Sequence, residues 1–118
     1  GKPADSEEVD AGYYIKGEFP NNGYVKNDML HKKGVLSMAR TVDTSGKNPK
    51  DYYDTASSQF FIVHESNTST RSLDYEYASF GYVLAGMDVV DAIAASRVDM
   101  LDKPFEDVVI EKVEVTEF

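Results

Sequence analysis

With 118 residues, 42% of them hydrophobic, the chain has enough apolar surface for the core of one ordinary domain. A net charge of −9 excludes a broad basic surface for nucleic acid or for an anionic membrane. The lack of cysteine excludes disulfides, a thiolate nucleophile and cysteine–zinc centres, and no apolar run reaches the length of a membrane-spanning helix.

Residues 1–10 are polar and acidic without periodicity, and read as a flexible lead-in to a unit over 11–118. Ala11 to Ile15 is a short strand candidate. Phe19-Pro20-Asn21-Asn22-Gly23 is dense in turn formers, since Asn and Gly tolerate positive φ. Gly34 to Ala39 is a second strand candidate. Thr41 to Thr55 is a long polar loop, of a length that is usually functional or mobile. Ser57-Ser58-Gln59 then leads into Phe60-Phe61-Ile62-Val63, an aromatic and β-branched run that predicts a buried strand.

His64 to Ser72 is a polar connection in which Asn67-Thr68-Ser69 fits a glycosylation acceptor, a tripeptide common by chance. Leu73 to Tyr77 reads as a turn and Ser79 to Leu84 as a third strong strand. Gly86 is placed to cap a helix near 87–96, with Asp88 in its first turn and Met87, Val90, Ile93 and Ala94 on one face. Pro104 interrupts the following loop. Val108 to Val115 predicts a last strand, with Val113 and Val115 alternating against Lys112, Glu114 and Thr116. The pattern is mainly β with one helix and no β-α-β rhythm.

Few residues nominate themselves for chemistry. His31 and His64 lie in no metal-ligand spacing and read as ordinary surface or loop residues. Asp43 to Asp54 has the length of a calcium loop, but Lys47 occupies a ligand position and Asn48 replaces the turn glycine. Ser57 and Ser58 lack the setting of a nucleophilic serine. By composition alone Phe60, Phe61, Phe80 and Met38 are core. The alternative makes Gln59 and Phe61 one wall of a pocket for an apolar group on a peptide.

Taken together, several blocks resemble the cyclophilins, the cyclosporin-binding class of peptidyl-prolyl isomerases, and stand in that family's order. They are Gly17-Glu18-Phe19, then Leu30-His31 through Gly34-Val35-Leu36-Ser37-Met38-Ala39-Arg40, then Ser58-Gln59-Phe60-Phe61-Ile62. Leu73-Asp74, Tyr77, Phe80-Gly81 and Val83 follow, then Gly86 to Asp91. Asp102-Lys103-Pro104 and Val108-Val109-Ile110 resemble the end of bacterial members, so the likeness runs from about Tyr13 to Val115.

The resemblance implies a β-barrel-like fold, no cofactor, and action on X-Pro bonds in peptides and unfolded proteins. It implies a substrate groove in which Phe61, Ala39, Leu73 and Tyr77 form or flank the proline pocket. Gln59 matches the glutamine that contacts substrate backbone, and Phe60 matches its neighbour. Arg40 stands where many members carry Asn. The family's opening strands, first helix and catalytic arginine have no counterpart, and none of Arg40, Arg71 and Arg97 matches that arginine. Ser72 stands where an aromatic ring often flanks the pocket, and Tyr75 where Gly is usual.

From these departures the chain is expected to be the C-terminal portion of a cyclophilin-like domain, an incomplete barrel with no assignable catalytic residue. It is expected to be weak or inactive alone, to bind a cyclosporin-type ligand poorly, and to self-associate through unpaired strands. The rival expectation is a catalytically silent module that binds proline peptides. The compartment stays open.

Overall fold

A computed structural model of the chain describes residues 12–42 and 48–117. The lead-in at 1–10 and residues 43–47 of the long polar loop lie outside the described residues.

Strands β1 (Val35–Met38), β2 (Phe60–Ile62) and β3 (Ser79–Tyr82) form an open antiparallel sheet in the order β2-β1-β3. The register sets Ser37 opposite both Phe61 and Ser79, while Leu36 faces Ile62 and Met38 faces Phe60. Directly paired residues share a face, and faces alternate along a strand. One face therefore carries Val35, Ser37 and Phe61, and the other carries Leu36, Met38, Phe60 and Ile62. β3 pairs through Gly81 and then Ser79, which leaves Phe80 as an inserted residue.

Gly34 joins the three strands at one end. Its N–H donates to the Val63 carbonyl (2.7 Å), and its own carbonyl accepts from the Val83 N–H (2.8 Å). It does so at φ +93°, a conformation that L side chains rarely adopt. This accounts for a glycine at the foot of the strand.

The core is small and aromatic. Phe19 is fully buried, with Tyr53 edge-on at 4.9 Å, and Val35, Ala56 and Val63 complete the buried apolar set. Phe19 enters it because Pro20–Asn22 forms a 3-10 turn closed by Gly23 in the left-handed region. Gly17 packs so closely that a Cβ there would collide with the Tyr53 carbonyl oxygen and the Phe19 ring. Tyr53 belongs to the Thr41–Thr55 stretch expected to be a functional or mobile loop, and Ala56 directly follows it. Pro49–Tyr52 is instead a second 3-10 turn, capped by Asn48, that delivers Tyr53 to the core.

Helix α1 (Thr68–Arg71) is a single turn. Asn67 caps it, its side chain accepting from the Thr70 N–H in a reciprocal capping box. The asparagine of the chance-level Asn67-Thr68-Ser69 tripeptide thus has a local structural role. Helix α2 (Met87–Ala94) begins after Gly86, as the sequence predicts, and ends two residues short of the expected 96.

Several expectations are corrected. Val108 to Val115 forms no strand: residues 107–117 carry no regular structure and all are exposed. Alternation favours a strand only when a neighbouring ladder takes up its backbone groups, and none pairs with it among the described residues. Ala11 to Ile15 reduces to one bridge between Ile15 and Ala56, with Ala11 outside the described residues. Phe60 and Phe80 are exposed rather than core, because Phe60 is on the uncovered sheet face and Phe80 is the inserted residue. In the apolar run Phe60–Val63 only Val63 is buried. On the helix face Met87 and Val90 are half-buried, while Ile93 and Ala94 are exposed.

Candidate proline-peptide groove

The covered face of the sheet builds the candidate site from its floor upward. Fully buried Ser37 stands beside Phe61, and its hydroxyl lies 2.8 Å from His31 Nε2. The other ring nitrogen of His31, Nδ1, is 3.1 Å from Asp74 Oδ1, and the His31 backbone N–H donates to the same oxygen at 2.7 Å. His31 is only 2% exposed, which corrects the surface-or-loop reading of this residue. A buried imidazole needs partners on both nitrogens, and here it has them.

Serine, histidine and aspartate in this order have the spacing of a nucleophilic relay. Complete burial of Ser37 removes that chemistry, since no carbonyl carbon can reach its oxygen. What the network does is tie the Leu73–Tyr77 turn to the sheet through Asp74. The His31 ring stacks against Phe61 at 6.1 Å and meets Tyr77 edge-on at 6.5 Å, while Phe61 and Tyr77 meet edge-on at 6.3 Å. Phe61 and Tyr77 are each half-buried, as is Leu73, which follows α1.

Four of the expected site residues, Ala39, Gln59, Phe60 and Phe61, border one cleft, while Leu73, Tyr77 and Arg40 stand outside its lining. Phe61 and Tyr77 are in ring contact, and Leu73 precedes the Asp74 anchor. Ala39 and exposed Gln59 are brought side by side, the Ala39 N–H donating to the Gln59 carbonyl at 2.9 Å. Phe60 lies on the other face, opposite Met38. It lines that cleft, of about 580 Å³, with Ala39, Gln59, Phe61, Ile62, Val90 and Ile110. The Arg40 guanidinium is held over the rings of Phe19, Tyr53 and Tyr77.

Glu76 gathers the polar groups beside Tyr77. It accepts from the Asn21 amide at 2.6 Å, pairs with Arg40 Nη2 at 3.7 Å, and takes the Tyr53 hydroxyl hydrogen bond. Burial, then the hydrogen bond and charge of Glu76, push the Tyr53 hydroxyl above the usual tyrosine range, outweighing the nearby Arg40.

Sequence reasoning missed the His31–Asp74–Ser37 network and the Arg40–Glu76–Tyr53 cluster. The one available signal was Ser37, a lone polar residue within the apolar run Val35 to Ala39. Tyr75 carries a backbone signature: its φ is +67° although it is not glycine. That explains why glycine would be the ordinary residue there.

Comparison with known proteins identifies the family. Residues 1–115 match the family described as cyclophilin type peptidyl-prolyl cis-trans isomerase/CLD. A peptidyl-prolyl cis-trans isomerase of Acinetobacter baylyi is 44% identical over 77 residues, covering 64% of this chain and 36% of the relative. Peptidyl-prolyl cis-trans isomerase B of Saccharomyces cerevisiae is 41% identical over 96 residues, covering 80% and 39%. Peptidyl-prolyl cis-trans isomerase B of Escherichia coli is 35% identical over 103 residues, covering 83% and 60%. The chain thus spans between about a third and three fifths of these relatives' lengths. The match over nearly the whole chain places it in the cyclophilin-type peptidyl-prolyl cis-trans isomerase family.

Proposed function

We propose that the groove walled by Phe61, Leu73 and Tyr77 receives the proline ring of an X-Pro peptide, and that Gln59 and Ala39 at the strand mouth meet the peptide backbone. The activity is peptidyl-prolyl cis-trans isomerisation. The observation that carries the reading is the Phe61–Tyr77 ring contact, braced from beneath by the buried His31. Half-buried rings beside an exposed amide suit an apolar ring attached to a polar chain.

Rotation about X-Pro faces a barrier of roughly 18–20 kcal/mol from amide resonance. No bond is made or broken, so the protein needs only to favour the twisted amide over the planar one. A positioned hydrogen-bond donor at the proline nitrogen contributes on the order of 10²–10³ in rate. Arg40 is held by Glu76 and three rings, Arg97 stands over Phe105, and exposed Arg71 ends α1. This arrangement favours a second reading, in which the chain alone binds proline peptides and accelerates their isomerisation weakly. Ser72 is exposed and offers no ring to the pocket, which supports weak affinity for a cyclosporin-type ligand. The open sheet, with the apolar face of Phe60 and Ile62 beside a broad cleft, supports an unclosed barrel that self-associates.

Exchange NMR on a short Ala-Pro peptide tests the reading. Acceleration abolished by Phe61→Ala establishes the isomerase groove. Binding without acceleration establishes the silent module. The absence of both removes the proline groove from this chain.

A further inference from the structure

Arg40 lies next to the candidate groove, yet its charged group is turned into the fold. The guanidinium carbon sits 4.5 Å from the ring centre of Tyr77, 5.3 Å from that of Tyr53 and 5.4 Å from that of Phe19. Nε donates to the Glu76 carbonyl and Nη1 to the Thr41 carbonyl, each at 3.1 Å, and Nη2 faces the Glu76 carboxylate. The side chain is only 9% exposed. To reach a peptide it would have to leave its stacking surface, its charge partner and two carbonyls together.

These attachments converge on one neighbour. The bonds to Glu76 fix the residue immediately before Tyr77, and the cation–π contact fixes the Tyr77 ring itself. We infer that Arg40 is a positioning residue that sets the Tyr77 ring as a wall against Phe61 and does not itself touch the peptide. The inference rests on the proline-groove reading above. A planar guanidinium serves this better than an ammonium, because a lysine keeps the charge over the ring but cannot lie flat on it while donating to separate carbonyls.

The test compares Arg40→Met, Arg40→Lys and Glu76→Gln with the wild-type chain. Three quantities are followed: the thermal transition, the ¹³C and ¹H signals of the Tyr77 ring, and the Kd for an Ala-Pro peptide by NMR titration. Arg40→Met is expected to shift and broaden the Tyr77 signals and to raise Kd about tenfold, the size of a lost partly buried cation–π contact. Arg40→Lys should recover part of that affinity. Glu76→Gln leaves the ring stack in place and should move the same signals in the same direction by less.

Unmoved Tyr77 signals in a folded Arg40→Met protein overturn the inference. So does a loosened ring with unchanged Kd. A raised Kd with an unmoved ring places the guanidinium on the peptide and also overturns it. If Arg40→Met does not fold, the Glu76→Gln arm decides by the same criteria. If the wild-type chain binds no proline peptide, the groove reading fails. The Tyr77 signals then still decide whether Arg40 sets the ring.

Discussion

The stretch from Gly17 to Ser79 and the stretch from Phe80 to Glu117 differ more than their compositions suggest. Every buried residue among those described lies in the first, and none in the second. Yet the second is rich in large apolar residues, including Ile93, Leu101, Phe105, Ile110 and Val113. What separates them is the presence of a facing surface. Phe19, Tyr53 and Arg40 cover one another, whereas the tail has no ladder and no layer over it among the described residues. Hydrophobic stabilisation follows area removed from water, so an apolar residue left facing water contributes little.

The widest break in that comparison should come from truncating one residue in each region. Phe19→Ala is expected to cost about 3–5 kcal/mol, as for other buried aromatic side chains. Val113→Ala should stay within about 0.5 kcal/mol, as for surface substitutions. Urea unfolding measures both. An equally large loss at Val113 would mean that the tail is covered in solution, and the contrast between the regions would then belong to the isolated chain only.

Within the first region, Ser37→Ala tests whether the polar network or the rings hold the groove floor. The substitution strands His31 Nε2 in a buried site, and an unsatisfied buried group costs about 1–3 kcal/mol. A loss of that size, with the His31 ring signals shifted by NMR, is the expected outcome. A neutral effect would assign the support of Phe61 to ring stacking alone.

How much of this was legible beforehand follows the same division. The strands containing Val35, Phe61 and Ser79 were readable, because β-branched and aromatic runs bounded by turn residues signal strands directly. Helix α2 was readable from its periodicity and its glycine start. The burial of Phe19, Tyr53 and His31 was not readable, since each sits among polar neighbours and enters the core only when distant turns fold over it. The tail failed for the opposite reason. Its alternation is a sound strand pattern, but a pattern specifies a strand only in the presence of a pairing edge. For the candidate site, Gln59 and Phe61 could be nominated from the residues themselves, while Leu73, Tyr77 and Ala39 came from family likeness. The division of Phe60 from Phe61 needed the register. The inward turn of Arg40 needed coordinates for Glu76, which the chain brings from 36 residues away.

A smaller change should act on the turn that joins groove to network. Tyr75 occupies the left-handed region, which costs an L residue about 1–2 kcal/mol. Glycine removes that cost but loses about 0.5–1 kcal/mol more chain entropy on folding. Tyr75→Gly should therefore stabilise the protein by under about 1 kcal/mol, read as a raised Tm. The Asn21 N–H donates to the Tyr75 backbone carbonyl, so that bond survives the change. Destabilisation instead would show that the exposed Tyr75 ring packs on something in solution.

The smallest effects are two pH limbs of opposite sign around the same core. The Tyr53 hydroxyl is raised by burial and by Glu76, so its neutral form is favoured by folding. That contribution is fully present below the unfolded value of about 10 and is lost as pH rises through the raised folded value. Asp54 moves the other way. The Gly17 N–H at 2.9 Å and the Asn22 amide at 2.8 Å hold its carboxyl below the usual range, with Lys16 adding to them. Its contribution is present above about pH 3.9 and is lost as pH falls through the lowered folded value. Melting series across pH should therefore show an alkaline limb removed by Tyr53→Phe and an acid limb removed by Asp54→Asn. The acid limb should be the shallower, because the Asp54 side chain is 45% exposed and water screens its partners. An acid limb as steep as the alkaline one would mean that the Gly17–Asp54 clasp is closed to solvent, and that the core extends further toward the chain's first turn than burial of Phe19 and Tyr53 alone implies.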